Sequence, residues 1–214
     1  MSFEEKIVSY TTQNTYATLN QFNKKTKYVW LVFHGIGYLS KYFFKHFYQL
    51  NPEEHYIIAP QAPSKYYLKN EYKYVGASWL TKENTILETE NVLAYLNQVF
   101  EAEKIPTDTP LILFGFSQGV SVALRWMAKH KIQCHTLALY AGGIPNELTT
   151  ADFEYLDHAK TRIKSIYGDK DEFLSQERLV KEKEKLDKLF QGNYELISFK
   201  GGHEIMPEII TDLV

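Results

Sequence analysis

Ser117 stands between two glycines in Gly115-Phe-Ser-Gln-Gly119, and its neighbours give that spacing a purpose. Leu111-Ile-Leu-Phe114 reads as a short buried strand. Val120-Ser-Val-Ala-Leu-Arg-Trp-Met-Ala128 continues as a helix with apolar residues on most faces. A serine hydroxyl attacks poorly until a base takes its proton. Presented on a tight turn between strand and helix it becomes accessible, and glycine two positions either side removes bulk that the turn cannot hold. The bare pattern G-x-S-x-G would arise by chance about once in fifteen chains of this length. The strand before it and the helix after it are what mark a nucleophile elbow.

Such a serine needs a base, and the base needs an acceptor to orient it. On an elbow-bearing sheet the partners follow in the order Ser, Asp or Glu, His, on loops after later strands. Ile166-Tyr-Gly-Asp-Lys-Asp171 puts carboxylates just past one strand, and Lys200-Gly-Gly-His203 puts a histidine just past another. Asp171 lies further into its loop and has more reach toward His203. It is favoured over Asp169, whose other reading is a turn residue bonding nearby backbone N–H groups. Asp108, Asp152 and Asp157 read as solvated surface groups.

The oxyanion formed during attack needs preorganised N–H donors. The amide of Gln118, next after the serine and at the start of its helix, is one candidate. The turn His34-Gly-Ile-Gly37 supplies the other, with Ile36 the assigned donor and glycines allowing close backbone approach. A dinucleotide loop is the rival reading of Gly35-x-Gly37. It lacks the third glycine, position 40 being Ser, and a clear acidic partner after the next strand.

Strands alternating with helices must hold these groups. Tyr28–Phe33, His55–Ala59, Leu111–Phe114, Thr136–Tyr140, Ile163–Tyr167 and Tyr194–Phe199 read as strands; Ser40–Leu50, Thr85–Glu103, Gln176–Phe190 and a stretch from Pro207 read as helices. Ile7–Tyr10 and Thr15–Leu19 suggest an entry hairpin about Gln13-Asn14, and residues 64–80 look irregular. The alternation predicts an α/β fold, a mostly parallel central sheet with helices on both faces and the elbow after a central strand. The chain has 214 residues, 44% hydrophobic and 23% charged, which suits one domain spanning 1–214. A net charge of −2 gives no electrostatic case for nucleic acid or an anionic membrane surface. One cysteine, Cys134, excludes an internal disulfide. No secretion signal or membrane-spanning run is apparent, and cytoplasm is the expected location.

These motifs together resemble the phospholipase/carboxylesterase family of small α/β-hydrolases, which includes acyl-protein thioesterases and bacterial carboxylesterases. The resemblance rests on Phe33-His-Gly-Ile-Gly37, Ala59-Pro-Gln-Ala-Pro63, Ser78-Trp79, Gly115-Phe-Ser-Gln-Gly119, Gly168-Asp-Lys-Asp171 and Gly202-His-Glu204, and extends from about residue 28 to the C-terminus. It implies Ser117 as nucleophile, Asp171 and His203 as its partners, and Ile36 and Gln118 as oxyanion donors. Three positions depart from the family pattern. Tyr38 stands where an acidic residue is frequent, Val120 where a third glycine is common, and Leu80 where an aromatic often follows the tryptophan. Tyr38, Trp79 and Leu80 are therefore expected to border the acyl pocket.

The reading is of a serine hydrolase for short-to-medium acyl esters or thioesters, acting on small molecules through an acyl-serine without metal or organic cofactor. The alternatives are a hydrolase of another bond class, peptidase or dienelactone-type, and a binding or receptor protein without turnover. Tyr66, Tyr67, Leu68, Tyr72 and Tyr74 either line the pocket or merely anchor their loop. His46, His55, His130, His135 and His158 show no metal-ligand spacing. The charge run Glu177–Lys188 reads as a solvated helix face, and Trp30 and Trp126 as packing residues.

Overall fold

The computed structural model describes residues 1–214, the side chain of Asn70 excepted. Tyr28–Phe33 (β2) and Leu111–Phe116 (β6) run side by side and parallel at the centre of a seven-stranded sheet. His55–Pro60 (β3) lies parallel on the far side of β2, and Tyr16–Leu19 (β1) closes that edge antiparallel. Beyond β6 come Thr136–Tyr140 (β7), Arg162–Gly168 (β8) and Glu195–Phe199 (β9), all parallel. The order is β1-β3-β2-β6-β7-β8-β9. The chain thus winds outward from β2 in one direction and from β6 in the other. A crevice opens beyond the carboxyl ends of strands at such a reversal, and ligands bind there.

Every residue of β3, β6 and β7 is buried, which is why those segments read as unbroken apolar runs. The pleat sends alternate residues to two cores. Val29, Leu31 and Phe33 join Thr85–Glu103 (α2), Gln118–His130 (α3) and Gln176–Phe190 (α4) on one face. Trp30 and Val32 meet Phe43, Phe44 and Phe47 from Ser40–Phe43 (α1) and the 3₁₀ turn after it. Ile210 of Pro207–Thr211 (α5) completes that second core. The α/β-hydrolase architecture is the expected one. Among the described residues no helix is long and apolar enough to cross a membrane.

Two local expectations need correction. Residues 7–10 form no strand: Ile7, Val8 and Tyr10 are exposed, and β1 finds its partner across the chain in β3, from Tyr16↔Pro60 to Leu19↔Ile57. Residues 64–80 are ordered as an antiparallel hairpin, Ser64–Leu68 (β4) with Tyr74–Ser78 (β5). Its turn holds Tyr72 in the left-handed region at φ 47°. The hairpin stands outside the sheet with β4 almost wholly exposed.

Candidate active site

Ser117 has φ 54° and ψ −117°, a conformation that a non-glycine residue holds only when its surroundings force it. The surroundings are on both sides. Its amide donates to Tyr140 O at 2.8 Å, tying the turn to β7. A Cβ on Gly119 would fall 2.0 Å from Phe33 O, and one on Gly115 would fall 2.7 Å from the Val120 backbone. Helix α3 therefore lies directly on β2, closer than any side chain permits. Val120, where a glycine is common, is wholly buried, and its Cγ2 would lie 2.4 Å from a Cβ on residue 142. Gly142 makes the room that a glycine at 120 would otherwise provide.

Asp171 follows β8 and His203 follows β9. The two loops are stitched together by Asp169 N donating to Phe199 O and Lys170 N to Gly201 O, both at 2.9 Å. Within them His203 Nδ1 and Asp171 Oδ2 stand 2.7 Å apart. The Asp171 side chain is 0% exposed and its other oxygen accepts from Phe173 N at 2.8 Å, so both oxygens are occupied. The His203 ring lies over Phe116, with centroids 5.0 Å apart, and edge-on to Phe173 at 4.8 Å. Those contacts leave it 17% exposed. Asp169 takes the other part weighed for it. It binds Lys200 Nζ at 2.7 Å and the Gly201 amide at 3.2 Å, and the Lys200 ammonium draws its carboxyl below the usual range.

The two candidate amides flank the elbow. Gln118 N opens α3, where N–H groups lack intrahelical acceptors and the helix dipole is positive. The Gln118 side chain grips the end of β5: Oε1 accepts from Trp79 N at 2.8 Å, and Nε2 donates to Leu80 O at 2.7 Å. On the other flank, Gly35 O accepts from His34 Nδ1 at 2.8 Å and from Tyr38 N at 3.3 Å. A trans peptide turns its N–H opposite to its carbonyl, so anchoring Gly35 O directs the Ile36 amide the other way. That amide donates to no group among the described residues.

Ser117, Gln118, Ile36 and His203 share one cavity of about 450 Å³, within the usual size of small-ligand sites. Tyr38, Phe116 and Phe173 give it aromatic walls. No hydrogen bond joins the Ser117 hydroxyl to His203 among the described residues. In sites without substrate such contacts are commonly long and tighten on binding. Trp79 and Leu80 do not line the cavity. The indole donates to His34 O at 2.8 Å and packs against Phe33, which turns Trp79 inward and buries it completely. Leu80 packs on the core while its carbonyl serves Gln118 and Ser78.

The family model for phospholipases and carboxylesterases matches residues 14–214. The chain belongs to the phospholipase/carboxylesterase family. Membership puts it among hydrolases of the phospholipase and carboxylesterase kind. A comparison by sequence with curated proteins finds no match. Solved structures share the fold at low identity. A phospholipase/carboxylesterase from Dyadobacter fermentans is 20% identical over 95% of each chain, with a TM-score of 0.67. Acyl-protein thioesterase 2 from Zea mays is 15% identical, covering 94% of this chain and 96% of its own, with a TM-score of 0.69.

Within this phospholipase/carboxylesterase frame the cavity also holds residues that sequence reasoning passed over: Ser121, Ala141, Gly142, Gly143, Phe173 and Arg178. Arg178 had a signal. It is a cation in the first turn of α4, against the helix dipole.

His34 is wholly buried, and Ala62 N donates to its Nε2 at 3.2 Å while Nδ1 donates to Gly35 O. The two bonds require the neutral Nδ1–H form, since a proton on Nε2 would face another N–H. Burial accordingly lowers its pKa from 6.5 to about 4, and His46 is lowered to about 4 by burial and by Lys45. The unfolded chain then binds more protons below pH 6.5, so stability present above that pH is lost as pH falls toward 4. Between pH 7 and 5, before carboxylates titrate, His34 alone should remove up to about 2 kcal/mol. Urea denaturation midpoints across that window check it, and a flat profile contradicts it.

Proposed function

We propose that this protein is a serine hydrolase that cleaves carboxylic esters or thioesters of short-to-medium acyl groups through an acyl-serine intermediate. The observation carrying the reading is the buried Asp171–His203 contact of 2.7 Å opening onto the same cavity as the strained Ser117. His203 Nε2 takes the Ser117 proton as Oγ attacks the carbonyl carbon. The resulting oxyanion meets the amides of Ile36 and Gln118. His203 passes the proton to the departing alkoxide or thiolate, then takes one from water as its hydroxide attacks the acyl carbon, and returns that proton to Ser117 Oγ as the acid leaves. Asp171 holds the imidazole in the Nδ1–H tautomer and stabilises its protonated form. Every proton travels between serine, histidine, leaving group and water, so the cycle calls for no metal or organic cofactor.

Tyr38, Phe116 and Phe173 support an apolar acyl group, and the cavity's modest volume supports a short or medium one. The test is a panel of p-nitrophenyl esters and acyl thioesters from two to sixteen carbons. Turnover should be highest on the short and medium chains of the panel and fall toward sixteen carbons. A folded protein that turns over none of them would overturn the reading in favour of a binding protein.

A further inference from the structure

We propose that the substrate bears a carboxylate, which Arg178 holds while Ser117 attacks the ester or thioester carbonyl; the inference rests on the reaction assigned above. Among the described residues, Arg178 contributes the one charged Lys, Arg, Asp or Glu side chain lining the cavity of Ser117 and His203. It lies close to the nucleophile along a single short span of chain. Gly142 packs on Ser117, where a Cβ would fall 2.3 Å from the serine carbonyl oxygen. Gly143 lies beneath the guanidinium, its Cβ position 2.8 Å from Arg178 Nη2. One peptide step of about 3.8 Å separates those two glycines.

The guanidinium keeps donors to spare. Nη1 is spent on Phe173 O at 2.7 Å. The nearest carboxylate, Glu182, stands 3.9 Å from Nε, beyond hydrogen-bond range. Glu182 is already occupied: one oxygen accepts from Ile144 N at 2.7 Å and the other from Lys185 Nζ at 3.2 Å. Nη2 donates to nothing among the described residues. A guanidinium fork with open donors and an engaged counter-ion is suited to a planar, bidentate anion such as carboxylate.

Two further features bear on a ligand role. A cation in the first turn of α4 opposes the helix dipole, a cost set against its i,i+4 pairing with Glu182. Past Arg178, the surface continues into a groove of about 370 Å³ whose walls include Lys181, Lys185 and Lys188 against Glu182 and Glu184. Counting Glu177, which binds Lys181 at 2.6 Å, four cations there face three carboxylates, a small excess of positive charge beside the site that favours anions.

The carboxylate can sit on the acyl chain or on the leaving group, and three esters separate these. They are p-nitrophenyl butyrate, mono-p-nitrophenyl glutarate with the charge on the acyl side, and the butyrate of a carboxylated nitrophenol with the charge on the leaving group. The readout is each anionic ester's kcat/KM divided by that of the neutral one. In wild type one of the two ratios should exceed that of the other arm and fall with rising salt. Arg178→Gln should cut that ratio tenfold or more, and Arg178→Lys should retain part of it because the charge survives without the fork. Ratios in both arms unmoved within twofold by Arg178→Gln overturn the proposal, even if overall turnover drops through the lost Phe173 contact. Should the glutamine variant not fold, ratios insensitive to salt in wild type and to Arg178→Lys overturn it equally. Failure of the reaction itself looks different: wild type would turn over none of the three esters.

Discussion

Ser117→Ala should yield a folded protein whose ester turnover is about 10⁴ to 10⁶ times slower than wild type, the loss typical when a triad's nucleophile is removed. The alanine methyl occupies the place of the serine Cβ and inherits the same backbone at φ 54°, ψ −117°. The strain is therefore neither relieved nor increased. The bonds that hold the turn belong to backbone atoms, Ser117 N to Tyr140 O and Val120 N to Ser117 O, and both survive. Thermal and urea midpoints should consequently move little while chemistry collapses, which separates a catalytic role from a structural one. A fluorophosphonate probe gives the covalent counterpart. Mass spectrometry should find one adduct per wild-type chain, on Ser117, and none on the variant. Near wild-type turnover in the purified variant would end the assignment of Ser117 as nucleophile.

How far the chain could be read depended on whether its signals were local. The central strands are uniformly apolar because both sheet faces are covered, so β2, β3, β6 and β7 were visible from composition alone. The elbow was visible because one tight turn imposes glycine at 115 and 119, and the structure gives the steric reason at each. Hairpin β4–β5 was not visible. Tyrosines and lysine face solvent on nearly every residue of β4, leaving no alternation to detect. Ile7–Tyr10 does carry a strand's residue types, yet a strand needs a partner, and β1, the expected one, pairs across the chain with β3 instead. Trp79 failed as a pocket residue for a related reason. Its type suits a wall, but a carbonyl 45 residues away captures the indole N–H and draws the ring into the core. Arg178 was hidden among the charges of an amphipathic helix, because its one local mark, a cation in the first turn, does not say whether the guanidinium faces solvent or a cavity. Long-range packing decides such cases.

The carboxylates two residues apart should part company under the same substitution. Asp171→Asn is expected to lower kcat by about 10⁴, the scale of that swap in a serine-protease triad, while Asp169→Asn changes it by no more than about threefold, like most surface substitutions. The direction follows from the hydrogen bonds. One oxygen of Asp171 accepts from Phe173 N at 2.8 Å and the other faces His203 Nδ1 at 2.7 Å. An asparagine in that slot must offer its lone carbonyl oxygen to the Phe173 amide, because an NH₂ there would meet another N–H. Its NH₂ then points at His203 and favours the tautomer with Nδ1 bare and the proton on Nε2. That imidazole cannot accept the serine proton. It also loses the buried negative charge that stabilises the imidazolium during attack. Asp169→Asn, by contrast, can still accept from Gly201 N, and gives up only its ion pair with the exposed Lys200, a contact of a kind that contributes little. Measuring kcat for both variants on one ester, with denaturation midpoints alongside, decides the matter. A severe loss at 169 with activity kept at 171 would reverse the assignment, and equal losses would place the effect in the shared loop instead of the His203 contact.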